Sequence, residues 1–266
     1  MPPSPDFVPG TVWLVGAGPG DPELLTQRAV RLIEAADIVF HDALVGPGVR
    51  ALIPPGVERV SVGKRSGRHS KDQRTINDLL CEAALAGRRV VRLKGGDPSI
   101  FGRSAEEIEH LVGHGIEVRV CPGVTAASAA AASVGASLTL RGIARSLTFV
   151  TAHARAGEAI ELDWPSLARN ETTLAVYMGR AAAGTVSRGL IRAGRDPDTP
   201  VLVVVNASLA DERAIRGRLS ALPFLVRTIS DDEPTLLLIG EALHPVPAPP
   251  IQRTAAHANV SSCAAR

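Results

Sequence analysis

Short β-branched runs alternating with longer amphipathic stretches constrain this chain more than any other feature. Val12–Val15, Ile38–Phe40, Arg59–Val62, Val90–Lys94 and Glu117–Val120 have the apolar, β-branched character of strands. Helical patterns lie between them. One covers about Glu23–Ala36, opened by Asp21-Pro22, and a second covers Lys71–Ala86, ended by Gly87. A third covers Ser104–Gly113, where Ser104 and Glu107 have the spacing of a capping box. Strands and helices in this order are the grammar of an α/β fold.

The stretch from Gly123 to Gly135 is nearly all Ala and Ser. Side chains this small suit close helix packing or a bridge between two halves, so the domain boundary is placed there, giving units of 11–122 and 123–243. Beyond it, Ser146–Thr151, Thr172–Tyr177, Pro200–Asn206, Ala214–Arg218 and Thr235–Ile239 read as strands, with a helix over about Arg180–Ala193. Fewer helices separate these strands, which predicts a mixed second sheet. From His244 to Arg266 the chain combines Pro, Ala and polar residues without periodicity and reads as a disordered tail.

Composition excludes several classes. The three cysteines, Cys81, Cys121 and Cys263, are odd in number and far apart, which fits neither a disulfide framework nor paired metal-ligand spacing. With no basic, apolar leader and no run of the roughly 18 apolar residues a membrane helix needs, the reading is a soluble cytoplasmic protein. A net charge of +2 and 3% aromatic residues offer nucleic acid neither a field nor stacking platforms.

Three glycine-bearing turns follow strands. Gly16-Ala17-Gly18-Pro19-Gly20 looks at first like a dinucleotide fingerprint, but that pattern wants glycine where Asp21 stands, and Pro19 lacks an N–H for phosphate. Either a structural turn or a main-chain surface for some other ligand satisfies it. Gly95-Gly96-Asp97-Pro98 ends the strand Val90–Lys94, with Asp97 as an acceptor for a hydroxyl or amino group; Pro122-Gly123-Val124-Thr125-Ala126 follows the strand ending at Val120. Ligands of open α/β sheets sit beyond the carboxyl ends of strands, so three such turns describe a small-molecule cleft.

Two further strand ends carry Asp42 and Lys64, an acid and an ammonium suited to proton transfer or substrate charge. Without further context a solvated ion pair is the simpler reading of the two. Arg65, Arg68, Lys71 and Arg74 gather beside Lys64 against the single acid Asp72, a cluster suited to a polycarboxylate or phosphate. Gly63-Lys64 is no Walker A loop, because Glu58 stands where its first glycine would be and Arg65 where Ser or Thr would hold magnesium. His110 and His114 share a helix face but lack the intervening Glu of a catalytic zinc motif, and no G-x-S-x-G elbow occurs. No metal is expected.

The segments VGAGPGDPELLT, HDALV, VGKR, RVVRLKGGDPSIFGR, CPGVTAA, SLTFVTAH, VYMG and VNAS occur in that order. On these the chain resembles the tetrapyrrole methylase family, over about Val12 to Leu243, and within it the members that methylate uroporphyrinogen III. The resemblance implies a homodimer of two α/β domains with the active-site cleft between them, binding S-adenosylmethionine in a folded conformation. By motif, the cofactor would meet Pro19, Gly95, Gly96, Asp97, Ile100, Thr125, Ala126, Met178, Ala207 and Thr235. Asp42 would be the proton acceptor and Lys64 the proton donor, and Arg65, Arg68 and Arg103 would grip substrate carboxylates. The implied reaction adds methyl groups at C2 and C7 of uroporphyrinogen III, giving precorrin-2 and two S-adenosylhomocysteine, on the route to sirohaem or cobalamin. Departures such as His41 for Tyr, Ala43 for Arg and Ser99 for Phe fall on the substrate side more than on the cofactor side.

Overall fold

Side chains alternate across a strand, and in this protein both faces of both sheets are covered. The computed structural model describes residues 7–63, 73–152 and 161–244. Lys64, Arg65, Arg68 and the stretch 245–266 of the expected tail lie outside the described residues. The first half runs β1 (Val12–Gly16), α1 (Gln27–Ala35), β2 (Ile38–His41), α2 (Pro47–Ala51), β3 (Glu58–Ser61), α3 (Gln73–Leu85), β4 (Val90–Lys94), α4 (Ser104–Gly113) and β5 (Val118–Cys121). Then come α5 (Ala126–Ser133), β6 (Ser146–Thr151), α6 (Trp164–Leu167), β7 (Thr172–Tyr177), α7 (Ala183–Arg192), β8 (Pro200–Val205), β9 (Arg213–Arg218), α8 (Leu222–Leu225) and β10 (Thr235–Ile239).

The first sheet has the order β3-β2-β4-β1-β5 and every pairing in it is parallel. Val12 and Leu14 of β1 pack with Leu80 of α3 and Leu111 of α4, whereas Trp13 and Val15 face Leu32 and Ile33 of α1. A sheet sandwiched in this way has no solvated face, which is why its strands read as unbroken apolar runs. Each fully buried aliphatic side chain contributes about 1.5–3 kcal/mol.

The second sheet has the order β6-β7-β10-β8-β9; β6 and β7 are parallel and the remaining pairs antiparallel, the mixed sheet expected from its sparse helices. Leu174, Val176, Val201 and Val203 meet Val186 and Leu190 of α7 on one face. On the other, Ala175, Leu202, Leu236 and Leu238 meet Ala127 and Ala130 of α5. The Ala/Ser stretch is thus a helix that leaves the third glycine-bearing turn and packs on the second sheet. Thr125 caps it by accepting a hydrogen bond from the N–H of Ser128 at 3.2 Å.

Local chemistry moved the start of one helix and changed the cap of another, α4, which spans the expected Ser104–Gly113. Asp21 accepts a bond from the N–H of Glu23 and opens a 3-10 turn over Pro22–Leu24, not the helix; α1 begins after Thr26, whose hydroxyl accepts from the N–H of Ala29 at 3.1 Å. Ser104 and Glu107 form no capping box. Arg103 holds the cap position at φ 55°, the Ser104 hydroxyl donates to the carbonyl of Pro98, and Glu107 turns into the protein. Among the described residues no helix is long and apolar enough to cross a membrane.

At the edge opposite the glycine turns, Asp37 joins the starts of β2 and β4. Its carboxylate accepts from the backbone N–H of Arg89 at 2.7 Å and from that residue's guanidinium at 2.7 and 3.1 Å. Hydrogen bonding to Arg89 holds the Asp37 carboxyl below its ordinary value of 3.8, against the opposing effect of burial. A depressed acid contributes stability that is complete above its unfolded pKa and lost as pH falls through its folded one. Asp37→Asn should therefore lower Tm at neutral pH, and thermal melts along an acid series should show the gap from the wild-type protein closing below the ordinary carboxylate range.

Candidate functional site

The glycine turns are bonded to one another. Beyond β1 and β4 the N–H of Gly18 donates to the carbonyl of Gly96 at 3.2 Å, and the N–H of Gly96 donates back to the carbonyl of Gly18 at 2.7 Å. Gly18 and Gly96 do so at φ 66° and 68°, a conformation L side chains rarely adopt. The third turn closes against both: a Cβ on Gly16 would lie 2.6 Å from the Cα of Gly123 and 2.8 Å from the carbonyl oxygen of Gly96. Asp97 ties the second turn to the third, accepting from the N–H of Gly123 at 2.9 Å with one oxygen and from the N–H of Ser99 at 2.7 Å with the other. Each carboxylate oxygen has a second lone pair, so this structural work leaves Asp97 able to meet a ligand.

A cleft of about 970 Å³ opens above these turns, at the upper end of the range for small-molecule sites. Pro19, Gly95, Gly96, Asp97 and Ile100 line it from the first sheet, Thr125 and Ala126 from the start of α5, and Met178, Ala207 and Thr235 from the second sheet. Asp42 and Arg103 line it too. Lys64, Arg65 and Arg68 lie outside the described residues, but Gly63, just before them, reaches the cleft wall. Arg103 is exposed and forms a fork with Glu106 at 2.6 and 2.7 Å, a surface pairing of little energetic weight.

Backbone irregularity concentrates here. Phe101, Arg103, Met178 and Asn206, all on the cleft wall, have φ between 51° and 55°. Such conformations cost on the order of 1–3 kcal/mol each and persist where the surroundings impose them. Tyr177 adds an aromatic wall, its ring centroid 5.2 Å from that of Phe101, and its hydroxyl accepts from the N–H of Ala127 at 3.2 Å. Burial pushes the Tyr177 phenol above its usual pKa, so it stays protonated.

Beneath Asp42 lies a group of charges that the sequence reading missed. Arg92 and Lys94, on one face of the central strand β4, are 2% and 3% exposed, and Glu107 of α4 is fully buried between them. Glu107 accepts from Arg92 Nε at 3.1 Å, from Lys94 Nζ at 2.8 Å and from Gln73 Nε2 at 3.2 Å. Arg92 turns its Nη2 to Asp42 Oδ1, a short bond of 2.5 Å. The four charges cancel, which is what lets Arg92, Lys94 and Glu107 stay out of water while Asp42 keeps an edge in the cleft. Burial first, then the Arg92 charge, push the Lys94 ammonium below its ordinary value, and Glu107 opposes both. The signal that could have found Glu107 is the pair Arg92 and Lys94: two same-face cations in a buried strand demand an acid.

His41 is buried beside Asp42, its Nδ1 3.2 Å from the Asp42 carbonyl. Burial pushes its imidazole down, so it is neutral near pH 7 and adds no cation to the group. Replacing Glu107 by Gln would leave Arg92 and Lys94 with Asp42 as their one acid. Breaking a buried pair in this way costs about 3–5 kcal/mol. Glu107→Gln should show that loss in denaturant unfolding, and Glu106→Gln, at the exposed pair next to it, should change stability by less than about 1 kcal/mol.

A family model of the Tetrapyrrole (Corrin/Porphyrin) Methylases matches residues 11–223. A sirohaem synthase of Gluconacetobacter diazotrophicus is 48% identical over 242 residues, which are 91% of this chain and 52% of that protein. The chain thus spans about half the length of such curated relatives. The uroporphyrin-III C-methyltransferase of Thermus thermophilus, solved with S-adenosyl homocysteine, is 41% identical with a TM-score of 0.74, over 87% of this chain and 92% of that one. A cobalt precorrin-4 methyltransferase is 30% identical with a TM-score of 0.79, over 89% of this chain and 97% of that one. With the family model matching the chain from β1 through β9, over most of its length, the chain belongs to the tetrapyrrole methylase family.

Proposed function

We propose that the protein is an S-adenosylmethionine-dependent C-methyltransferase that methylates uroporphyrinogen III twice, at C2 and C7, to give precorrin-2 and two S-adenosylhomocysteine. The observation that carries this is one cleft lined by Pro19, Gly95, Gly96, Asp97, Ile100, Thr125, Ala126, Met178, Ala207 and Thr235, the residues the family motifs assign to the cofactor. Identity favours the substrate, since the chain is 41% identical to a uroporphyrin-III enzyme and 30% to the cobalt precorrin-4 enzyme. The chain works as a homodimer in the cytosol, each protomer divided at about residue 122.

The cleft fits the adenosyl group. Its glycine turns admit a ligand against the main chain, Asp97 keeps lone pairs for hydroxyl or amino donors, and Ile100 and Met178 give apolar surface. Bound S-adenosylmethionine supplies a methyl group already activated as a sulfonium. No protein nucleophile is then needed, because the electron-rich pyrrole carbon attacks; the C–C bond forms as the S–CH3 bond breaks. The protein's share is positioning. Arg92 fixes Asp42 through one carboxylate oxygen, and the Asp42 side chain stays 26% exposed in the cleft. Asp42 takes the one proton the macrocycle must lose for each methyl group gained, and Lys64, the proton donor by motif, serves a proton moved within the ring, with no change in that balance. Arg65, Arg68 and Arg103 hold the substrate's carboxylates.

The shape match to the cobalt precorrin-4 enzyme, with its TM-score of 0.79, favours a second reading, methylation of a later intermediate. Anaerobic incubation with uroporphyrinogen III and S-adenosylmethionine, followed by mass spectrometry, separates the two. A dimethylated product is expected; unreacted uroporphyrinogen beside a methylated precorrin would move the protein to the later step. Asp42→Asn should bind S-adenosylmethionine with unchanged affinity in calorimetry and lower turnover by about 10²–10⁴-fold. Undiminished turnover would remove Asp42 from the chemistry.

A further inference from the structure

Two neighbouring helices, α3 and α4, carry sulfur and nitrogen donors that the cleft does not use. Cys81 Sγ and one ring nitrogen from each of His110 and His114 all lie within 4.8 Å of one another. The two imidazoles stand 4.6 Å apart between centroids. In sequence the histidines share a helix face but lack the Glu of a catalytic zinc motif; the third donor comes from another helix, 29 residues away from the nearer histidine. None of the three residues lines the cleft.

Each imidazole already has the kind of partner that orients a metal-binding ring. His114 Nδ1 is 2.8 Å from the carbonyl of His110, which fixes the proton on Nδ1 and leaves Nε2 as a donor to metal. His110 Nε2 is 3.4 Å from a carboxylate oxygen of Asp78, one turn before Cys81 on α3. Burial first, then the charges of Asp78 and Glu82, raise the Cys81 thiol above its usual pKa, so a cation bound there would have to displace the thiol proton, while the same two carboxylates give the site negative charge. Cys81 is buried and His114 is exposed, so a cation can enter from the His114 side.

We propose that Cys81, His110 and His114 form a site for one divalent cation of the zinc class. One thiolate and two imidazoles are the donors a tetrahedral zinc ion prefers, with water or Asp78 in the fourth position. With Zn–S of about 2.3 Å and Zn–N of about 2.0–2.1 Å, donors in such a site stand about 3.4–3.6 Å apart. Closing from the observed spacing takes about an ångström of side-chain movement, which the exposed His114 ring can make. The ion would clip α3 to α4 at one end. At the other, Gln73 and Asn77 of α3 already bond to Glu107 and to the carbonyl of Glu106. The clip would then steady the helix pair that presents Glu107 to Arg92 and Lys94.

The test is Co²⁺ titration of full-length, chelator-treated protein carrying no histidine tag. A thiolate-to-cobalt charge-transfer band should grow to one equivalent and vanish when Zn²⁺ is added. Cys81→Ser should remove the band, and His114→Ala, at an exposed position where folding is safe, should weaken Co²⁺ binding at least tenfold. Zinc should raise the Tm of the wild-type protein and not that of His114→Ala. The absence of a thiolate band, its persistence in Cys81→Ser through Cys121 or Cys263, or equal affinity in His114→Ala would each overturn the proposal.

Discussion

Two cations in the middle strand of a parallel sheet stay out of water because α4 brings Glu107 to them. That requirement fixes more than one side chain. The helix must start where its first turn can reach β4, so the loop between Lys94 and Ser104 has nine residues in which to leave the sheet, wrap the cleft edge and return. The Ser104 hydroxyl bonded to Pro98 and the left-handed backbone at Phe101 and Arg103 are how it turns that tightly. Asp42 is drawn in through Arg92, which gives a cleft acid a rigid mount whose rigidity originates in the core.

The glycines do the complementary work of letting three turns touch. At Gly16, Gly96 and Gly123 backbone meets backbone, leaving no room for a Cβ at Gly16 or Gly123, and the reciprocal bonds of Gly18 and Gly96 leave those turns one arrangement. A cleft floor made of main chain is stiff and offers no side chain to rearrange. Selectivity must come from the walls, where Phe101, Tyr177 and the cations stand.

The strands and the cleft were legible in the sequence because their signals are local: β-branched runs alternating with amphipathic ones, and glycine at strand ends. The mixed character of the second sheet followed from the few helices between its strands. Where two local signals coincided, the wrong one was easily chosen. Ser104 and Glu107 have cap spacing, yet burial of the acid against Arg92 and Lys94 outweighs a cap worth about 1 kcal/mol. Asp21-Pro22 does begin a turn, but Thr26 offers the better cap for the longer helix. The nearness of Cys81 to His110 and His114 was invisible because it depends on how two helices pack, and the short helices α2, α6 and α8 carry too few residues to show a period.

The two halves touch where the N–H of Asp21 donates to Ser208 Oγ at 3.0 Å and where the Phe101 ring stands 5.2 Å from that of Tyr177, and α5 links them in the chain, its first residues lining the cleft and its body lying on β10 and its neighbours. Ala127 and Ala130 are fully buried in that contact. A helix faced with methyl groups is about as thin as a helix can be, so α5 lies close on the second sheet while its first residues reach the cleft. Thr125 and Ala126 therefore meet the cleft from a helix anchored on the second sheet, although the turn that leads into it follows a strand of the first.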